Sequence, residues 1–221
     1  FIDTMFTYSF APEKNLSKDE FLKLKLQWLI DNNKIELIEE FLNTNLEFSE
    51  KSKLIKHLVD YYIASANISK SCEKANLINK EIKDNYLDRF RIYCLILNKK
   101  NEQAQLNFDL LREEGRSDKF FSNKISFLLG INEKPDNKVS DKNLLYFYLS
   151  SITVENFNYE PNEKTDKNIW KYLTASNLIS TDQLEDPEII NKYEVAAQQG
   201  TFDKNKIFEI YLSVPFNINQ L

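Results

Sequence analysis

Apolar residues recur along this chain at the spacing of amphipathic helices. Within 84–98, for example, one helical face carries Leu87, Phe90, Cys94 and Leu97 at i, i+3, i+7 and i+10. Similar patterns recur from residue 17 almost to the end of the sequence. The pattern predicts an all-α protein with about ten or eleven helices.

Capping residues and helix breakers set the predicted helix boundaries. Ser17 and Glu20 form a capping-box pattern ahead of the first helix. Gly115 and Gly130 are predicted to end two helices in the left-handed conformation. The first seven predicted helices span 17–31, 34–44, 52–65, 69–82, 84–98, 101–114 and 117–130.

The second half continues the helical pattern with longer breaks. Residues 131–140 are predicted to be a linker, because Pro135, Asp136 and Asn137 are consecutive breakers. Further helices are predicted at 141–152, 166–178 and, as a hairpin, 187–213. We expect 141–221 to continue the helical array and 1–16 to form an N-terminal extension.

The predicted turns within the first three helix pairs are evenly spaced. They lie near Asn33, Asn67 and Asn101, 34 residues apart, which is the length of a tetratricopeptide repeat. Ala104 and Phe108 occupy positions where the second helix of that repeat carries Ala and an aromatic residue. Residues 17–130 therefore resemble tetratricopeptide-like repeats, although the family's small residue in the first helix and its Pro after the second are absent. The resemblance implies an α-solenoid of antiparallel helix hairpins that binds a partner.

The segment 72–130 is also similar to helical repeats in exported proteins of alphaproteobacteria. The residues that carry this likeness are Cys72, Phe90, Cys94, the run 110–115, Phe120, Phe121 and 128–130. It implies export and attaches no activity to the chain.

Two cysteines, Cys72 and Cys94, lie at equal distances from the predicted turn at Lys83 to Asn85. Both fall on apolar faces, so antiparallel packing would place them opposite each other, within the roughly 4.4 to 6.8 Å between Cα atoms that a disulfide requires. We predict a disulfide; the alternatives are two small buried apolar residues or a reactive thiol. A disulfide would imply a periplasmic or exported protein, and its absence would favour the cytoplasm.

Composition excludes several classes of protein. Only 3 Gly and 5 Pro argue against a β-sandwich or barrel, which needs frequent turns. The net charge is -5 and no basic run is present, which argues against a nucleic-acid partner. No apolar stretch is long enough to predict a transmembrane segment. Because the chain begins at Phe1 rather than Met, we expect it to be part of a longer product.

The residue patterns of catalytic and metal sites are not found. His57 is the single histidine, and we expect it to be a partly exposed surface residue. With two cysteines it does not supply the four ligands of a zinc site, and no glycine lies in a phosphate-binding pattern. Carboxylate pairs such as Glu39 with Glu40 are expected on solvated helix faces. We predict a protein that is not an enzyme and needs no cofactor or metal.

Aromatic residues are abundant, with 11 Tyr and 16 Phe. Some fall in pairs that are hard to bury together, and such residues concentrate at interface cores. The candidate interface aromatics are Tyr61, Tyr62, Tyr146, Tyr148, Phe157 and Tyr159. The alternative is packing between repeats.

These patterns together predict a non-catalytic scaffold of helical repeats in the bacterial envelope, which binds a protein or peptide partner. Two alternatives stay open. One is a self-assembling structural subunit that binds copies of itself, and the other is an accessory helical domain of a cell-envelope enzyme.

Overall fold

The computed structural model describes residues 14–45, 48–77, 83–162, 164–178, 187–200, 202 and 204–213. Within these ranges the regular secondary structure is entirely helical, which confirms the predicted all-α class. The helices are α1 Lys18–Asp31, α2 Ile35–Thr44, α3 Lys51–Ala64, α4 Ile68–Ala75, α5 Asn85–Leu97, α6 Asn101–Glu113, α7 Lys119–Leu128, α8 Leu144–Thr153, α9 Lys167–Ala175, α10 Pro187–Gln198 and α11 Lys204–Ser213. None of them is long and apolar enough to cross a membrane.

The first six helices form three consecutive hairpins. Short turns join α1 to α2, α3 to α4 and α5 to α6, and the members of each pair pack against each other. The hairpins also contact one another in order, through α2 with α3 and α4 with α5. Each hairpin therefore covers an apolar face that its neighbour leaves open.

The three hairpin turns share one backbone geometry. Asn33, Ala66 and Lys99 have φ angles of 48°, 55° and 58°. In each turn the amide of the next residue donates to a carbonyl in the last turn of the preceding helix, at 2.8 to 2.9 Å, which is the Schellman motif. We call the even spacing from Asn33 to Ala66 to Lys99 the hairpin interval. It is slightly shorter than the asparagines indicated, because Asn67 and Asn101 follow the left-handed residue by one and two positions.

The hairpin interval also relates buried positions in the three hairpins. The buried sets with this spacing are Leu26, Val59 and Ile92; Ile38, Ser71 and Ala104; and Leu42, Ala75 and Phe108. Ser71 illustrates how close the two helices of a hairpin lie, since its hydroxyl donates to the carbonyl of Val59 at 2.9 Å. The three hairpins are therefore built on one pattern of burial.

Helix α3 lies at the centre of the described fold. It packs against its hairpin partner α4 and also contacts α8 and α9, which belong to the second half of the chain. In a linear repeat array each unit contacts only its neighbours. The C-terminal helices therefore return to the second hairpin, while α7 connects α5 to α8.

Most of the core is one continuous apolar cluster that extends from α1 to α9. A smaller cluster joins α9 to the last hairpin through Trp170, Tyr193 and Phe202. The Trp170 ring contacts the other two rings at centroid distances of 5.9 and 6.4 Å. The α10–α11 hairpin is thus held to the rest of the fold by aromatic contacts.

Several predicted helix starts are shifted by a few residues. Asn67, Asp118 and Asn143 cap the helices that were predicted to span 69–82, 117–130 and 141–152, because their side chains accept the free amides of the first turn. The predicted capping box at Ser17 and Glu20 is confirmed. Gly115 and Gly130 have φ angles of 68° and 75° and follow helix ends as predicted.

One predicted helix end is wrong. Helix α4 ends at Ala75 rather than near 82, and Asn76 caps it. Residues 1–13 of the predicted N-terminal extension, 78–82 of the predicted fourth helix and 214–221 of the predicted C-terminal continuation lie outside the described residues.

Candidate binding groove

The third hairpin carries a groove of about 570 Å³ between α5 and α6. Its floor is formed by Ile92 and Leu111, each only 2% exposed. Leu95, Leu106 and Leu110 form its apolar wall. We refer to this surface as the α5–α6 groove.

Two leucines of α6 are unusually open to solvent within this groove. Leu106 is 61% exposed and Leu110 is 49% exposed. They lie one turn apart, about 6 Å along the helix axis. Covering a leucine side chain is favourable by about 1.5 to 3 kcal/mol, so this pair offers considerable binding energy to a partner.

The leucine pair is not required by the hairpin itself. At the hairpin interval, the equivalent positions are Glu40 and Thr44 in the first hairpin and Glu73 and Leu77 in the second. The first hairpin therefore packs without any apolar side chain at these two positions. This difference distinguishes the third hairpin from the other two.

A network of ion pairs lies at the rim of the groove. Lys83 donates to Glu114 at 2.8 Å, and Arg116 donates to the other oxygen of Glu114 at 2.9 Å. Arg116 also pairs with Asp88. The hydrogen bond from Lys83, together with Arg116, lowers the pKa of Glu114. These four groups neutralise one another.

Arg91 lies apart from this network. It is half-buried on α5 and lines the groove beside Leu95. It makes no hydrogen bond or ion pair within the described part of the chain. Arginine is always charged and carries five donors. The groove therefore combines exposed apolar surface with one uncompensated positive charge.

Arg89 connects α5, which forms one side of the groove, to the helices that follow the third hairpin. Arg89 is 3.2 Å from the Asp118 carboxylate and also donates to the Arg116 carbonyl and to the Tyr146 hydroxyl. Its guanidinium lies 5.6 Å from the centre of the Phe121 ring. This junction fixes the backbone from which Arg116 reaches the groove rim.

The predicted cysteine pair is brought together at the α4–α5 contact. Cys72 and Cys94 have Cα atoms 5.5 Å apart, within the range for a disulfide, and their sulfurs lie at bonding distance. Both side chains are buried. Cys94 lies one residue before Leu95 of the groove, so the pair connects the second hairpin to the groove wall.

The six candidate interface aromatics differ in how far they are buried. Tyr61 is 36% exposed, whereas Phe157 and Tyr159 are half-buried against the Phe147 ring at centroid distances of 5.6 and 4.8 Å. The other three, which are buried in the fold, are Tyr62, Tyr146 and Tyr148.

The buried tyrosines have partners inside the protein. Tyr62 donates to Glu39 at 2.6 Å, and the Tyr148 hydroxyl bonds that of Tyr93. Tyr146 stacks on Phe120 at 4.8 Å. For these rings the structure supports packing between helices, because their surfaces are already covered.

Two further titratable candidates, Glu39 and His57, do not line the groove. Glu39 accepts from Tyr62 and lies 3.2 Å from Lys74. His57 is half-buried, and burial together with Lys167 lowers its pKa. No group of three potential metal ligands occurs among the described residues.

Sequence reasoning missed the groove residues. Ala104, Phe108 and Leu111 identify the buried face of α6 in the sequence, and Leu106 and Leu110 fall outside that face. Two leucines at i and i+4 on the polar side of an amphipathic helix were the available signal. No feature of the sequence identifies Arg91 as a groove residue, because its lack of a partner depends on the folded arrangement.

Comparisons with known protein families, with curated proteins and with solved structures find no match to this chain.

Proposed function

We propose that this chain is a non-catalytic interaction scaffold of helical hairpins that binds a segment of a partner protein in the α5–α6 groove. The observation that carries the proposal is the exposure of Leu106 and Leu110 beside Arg91, which has no charge partner among the residues that the structure describes. Two apolar side chains and one charge at a groove are the composition of a protein-binding site rather than of a catalytic one.

The repeated hairpin geometry supports a scaffold role. Successive hairpins that share one arrangement of buried positions allow one unit to acquire a binding function while the others maintain the core. The recurring turns and buried positions are consistent with the resemblance to tetratricopeptide-like repeats. Location in an oxidising compartment such as the bacterial periplasm belongs to the same proposal, and the adjacent cysteine sulfurs support it.

Site-specific photo-crosslinking in the cells that produce the protein tests the proposal. A photoreactive phenylalanine analogue replaces Leu110 in one variant and Leu97 in the other. Leu97 is a matched control, because it is a 45% exposed leucine of the same hairpin outside the groove lining.

We expect a covalent adduct with another protein from position 110 and none from position 97. Equal adducts from both positions, or none from 110, would contradict the proposal. An adduct between two copies of this chain would favour self-assembly instead.

A further inference from the structure

We infer that the segment bound in the α5–α6 groove is an amphipathic helix whose apolar face is followed by a carboxylate that pairs with Arg91. This inference rests on the proposed function and adds the chemistry of the partner. It is drawn from the shape of the groove, the spacing of its leucines and its charge.

The shape of the groove favours a helix as the occupant. Two neighbouring helices, α5 and α6, leave between them a depression whose floor is Ile92 and Leu111. Side-chain ridges of a third helix pack into such a depression, as helices do throughout this fold. A segment bound by β-strand addition would need free backbone donors and acceptors from the groove, and both walls are helices whose backbone groups bond internally.

The spacing of the exposed leucines sets the pattern required in the partner. Leu106 and Leu110 are separated by one helical turn, so the complementary helix must present apolar side chains at i and i+4 or i and i+3. Polar groove residues, Gln103 and Asn107, lie next to the two leucines. The apolar stripe of the partner must therefore be narrow, with polar residues on both sides.

The charge of the groove determines the third feature of the partner helix, its carboxylate. Of the charged residues that line the groove, Lys83, Arg116, Asp88 and Glu114 pair among themselves, which leaves Arg91 to attract an anion. A carboxylate near the apolar stripe would pair with Arg91, and a cation there would be repelled.

Selection from a peptide library tests the inference without knowledge of the partner. The probe is a phage-displayed library of helical peptides of about 18 residues, or roughly 27 Å, randomised at every surface position. The wild-type chain is the target, and the double variant Leu106→Ser/Leu110→Ser is the counter-target. Sequences enriched on the first and not on the second are those that bind the groove.

We expect enriched sequences to share apolar residues at i and i+4 or at i and i+3, together with Asp or Glu. A central proline in an enriched peptide should abolish its binding, because it breaks the helix. Replacing Arg91 by Gln should weaken binding roughly three- to tenfold. Selection on Arg91→Glu should enrich Lys or Arg instead.

The possible failures are distinguishable. Enrichment of groove-binding peptides without an acidic residue, or peptides that tolerate the central proline, would overturn the inference and leave the proposed function standing. No enrichment over the double variant would also overturn the inference, whereas the proposed function fails only if position 110 gives no crosslinked partner. Leu97→Ser is the control target, and it should select the same sequences as the wild type.

Discussion

At the scale of single residues, three residues other than glycine adopt the left-handed backbone conformation in the hairpin turns. Asn33, Ala66 and Lys99 adopt positive φ angles, whereas Gly115 meets the same requirement with glycine. The left-handed conformation costs an L-residue about 1 to 2 kcal/mol, although asparagine tolerates it better than most. Ala66 and Lys99 lack the short polar side chain of asparagine, so both bear a larger penalty than Asn33.

Replacing Ala66 by Gly should therefore stabilise the protein by about 0.5 to 1 kcal/mol, which is the steric gain less the greater entropy of unfolded glycine. Urea denaturation followed by circular dichroism measures the change. The reverse substitution, Gly115→Ala, is the control and should destabilise by a similar amount. A Cβ at Gly115 would meet no atom within 4 Å, so the backbone alone sets that cost. A loss of stability in Ala66→Gly would contradict the assigned turn.

A half-buried carboxyl between α3 and α5 predicts a pH-dependent stability. Burial raises the pKa of Asp60 from its usual value to about 6, although a hydrogen bond from Tyr86 and the charge of Lys56 partly oppose the rise. Between about pH 4 and 6 the folded protein holds a proton that the unfolded chain has released. Stability from this site is therefore highest below pH 4 and falls as the pH rises through 6.

Asp60→Asn should remove this dependence and keep an oxygen that accepts from Tyr86. We expect the variant to be more stable than the wild type at pH 7, by up to about 3 kcal/mol, and equally stable below pH 4. Denaturation curves of both proteins at a series of pH values provide the test. A difference that is constant across the series would show that Asp60 titrates normally.

At the scale of helices, the link between Cys72 and Cys94 joins the second hairpin to the third. It would close a loop between residues 22 positions apart, a constraint on the unfolded chain worth about 3 kcal/mol. The double variant Cys72→Ala/Cys94→Ala should lose about that much stability. Denaturation with and without reductant measures it, because reductant should destabilise the wild type and leave the variant unchanged. Two free thiols in native protein, mapped by mass spectrometry, would exclude the disulfide.

Much of the helical architecture could be predicted from the sequence because it is local. Caps such as Ser17 and terminators such as Gly115 act within a few residues, and so does the 3.6-residue period of the apolar face. The end of α4 was mispredicted because Ile78 and Ile82 continue the apolar period beyond Ala75. Periodicity identifies an apolar face but does not show where the helix stops.

At the scale of the whole molecule, the contacts of α3 with α8 and α9 were not predictable from the pattern. An apolar face in the sequence does not specify which distant helix covers it. The hairpin interval relates only equivalent positions in consecutive hairpins. The same limitation applies to the candidate interface aromatics. Tyr146 and Tyr148 are covered by α7 and α5 through ring contacts with Phe120 and Tyr93, which the apolar pattern does not specify.

The exposed leucines of the groove contribute to binding rather than to stability in this account. Leu106→Ser/Leu110→Ser should therefore change the free energy of unfolding by less than about 0.5 kcal/mol per site, as is usual for exposed positions. Thermal and urea denaturation test this expectation. A large loss of stability would instead mean that the two leucines complete the core.

The most direct test is an equilibrium titration of the partner segment identified by crosslinking, measured by calorimetry against three proteins. These are the wild type, Leu106→Ser/Leu110→Ser and the control Leu97→Ser. We predict that the double variant loses at least about tenfold in affinity, corresponding to about 1.4 kcal/mol, while the control binds like the wild type. Equal affinity of all three proteins would contradict the assignment of the α5–α6 groove as the binding site.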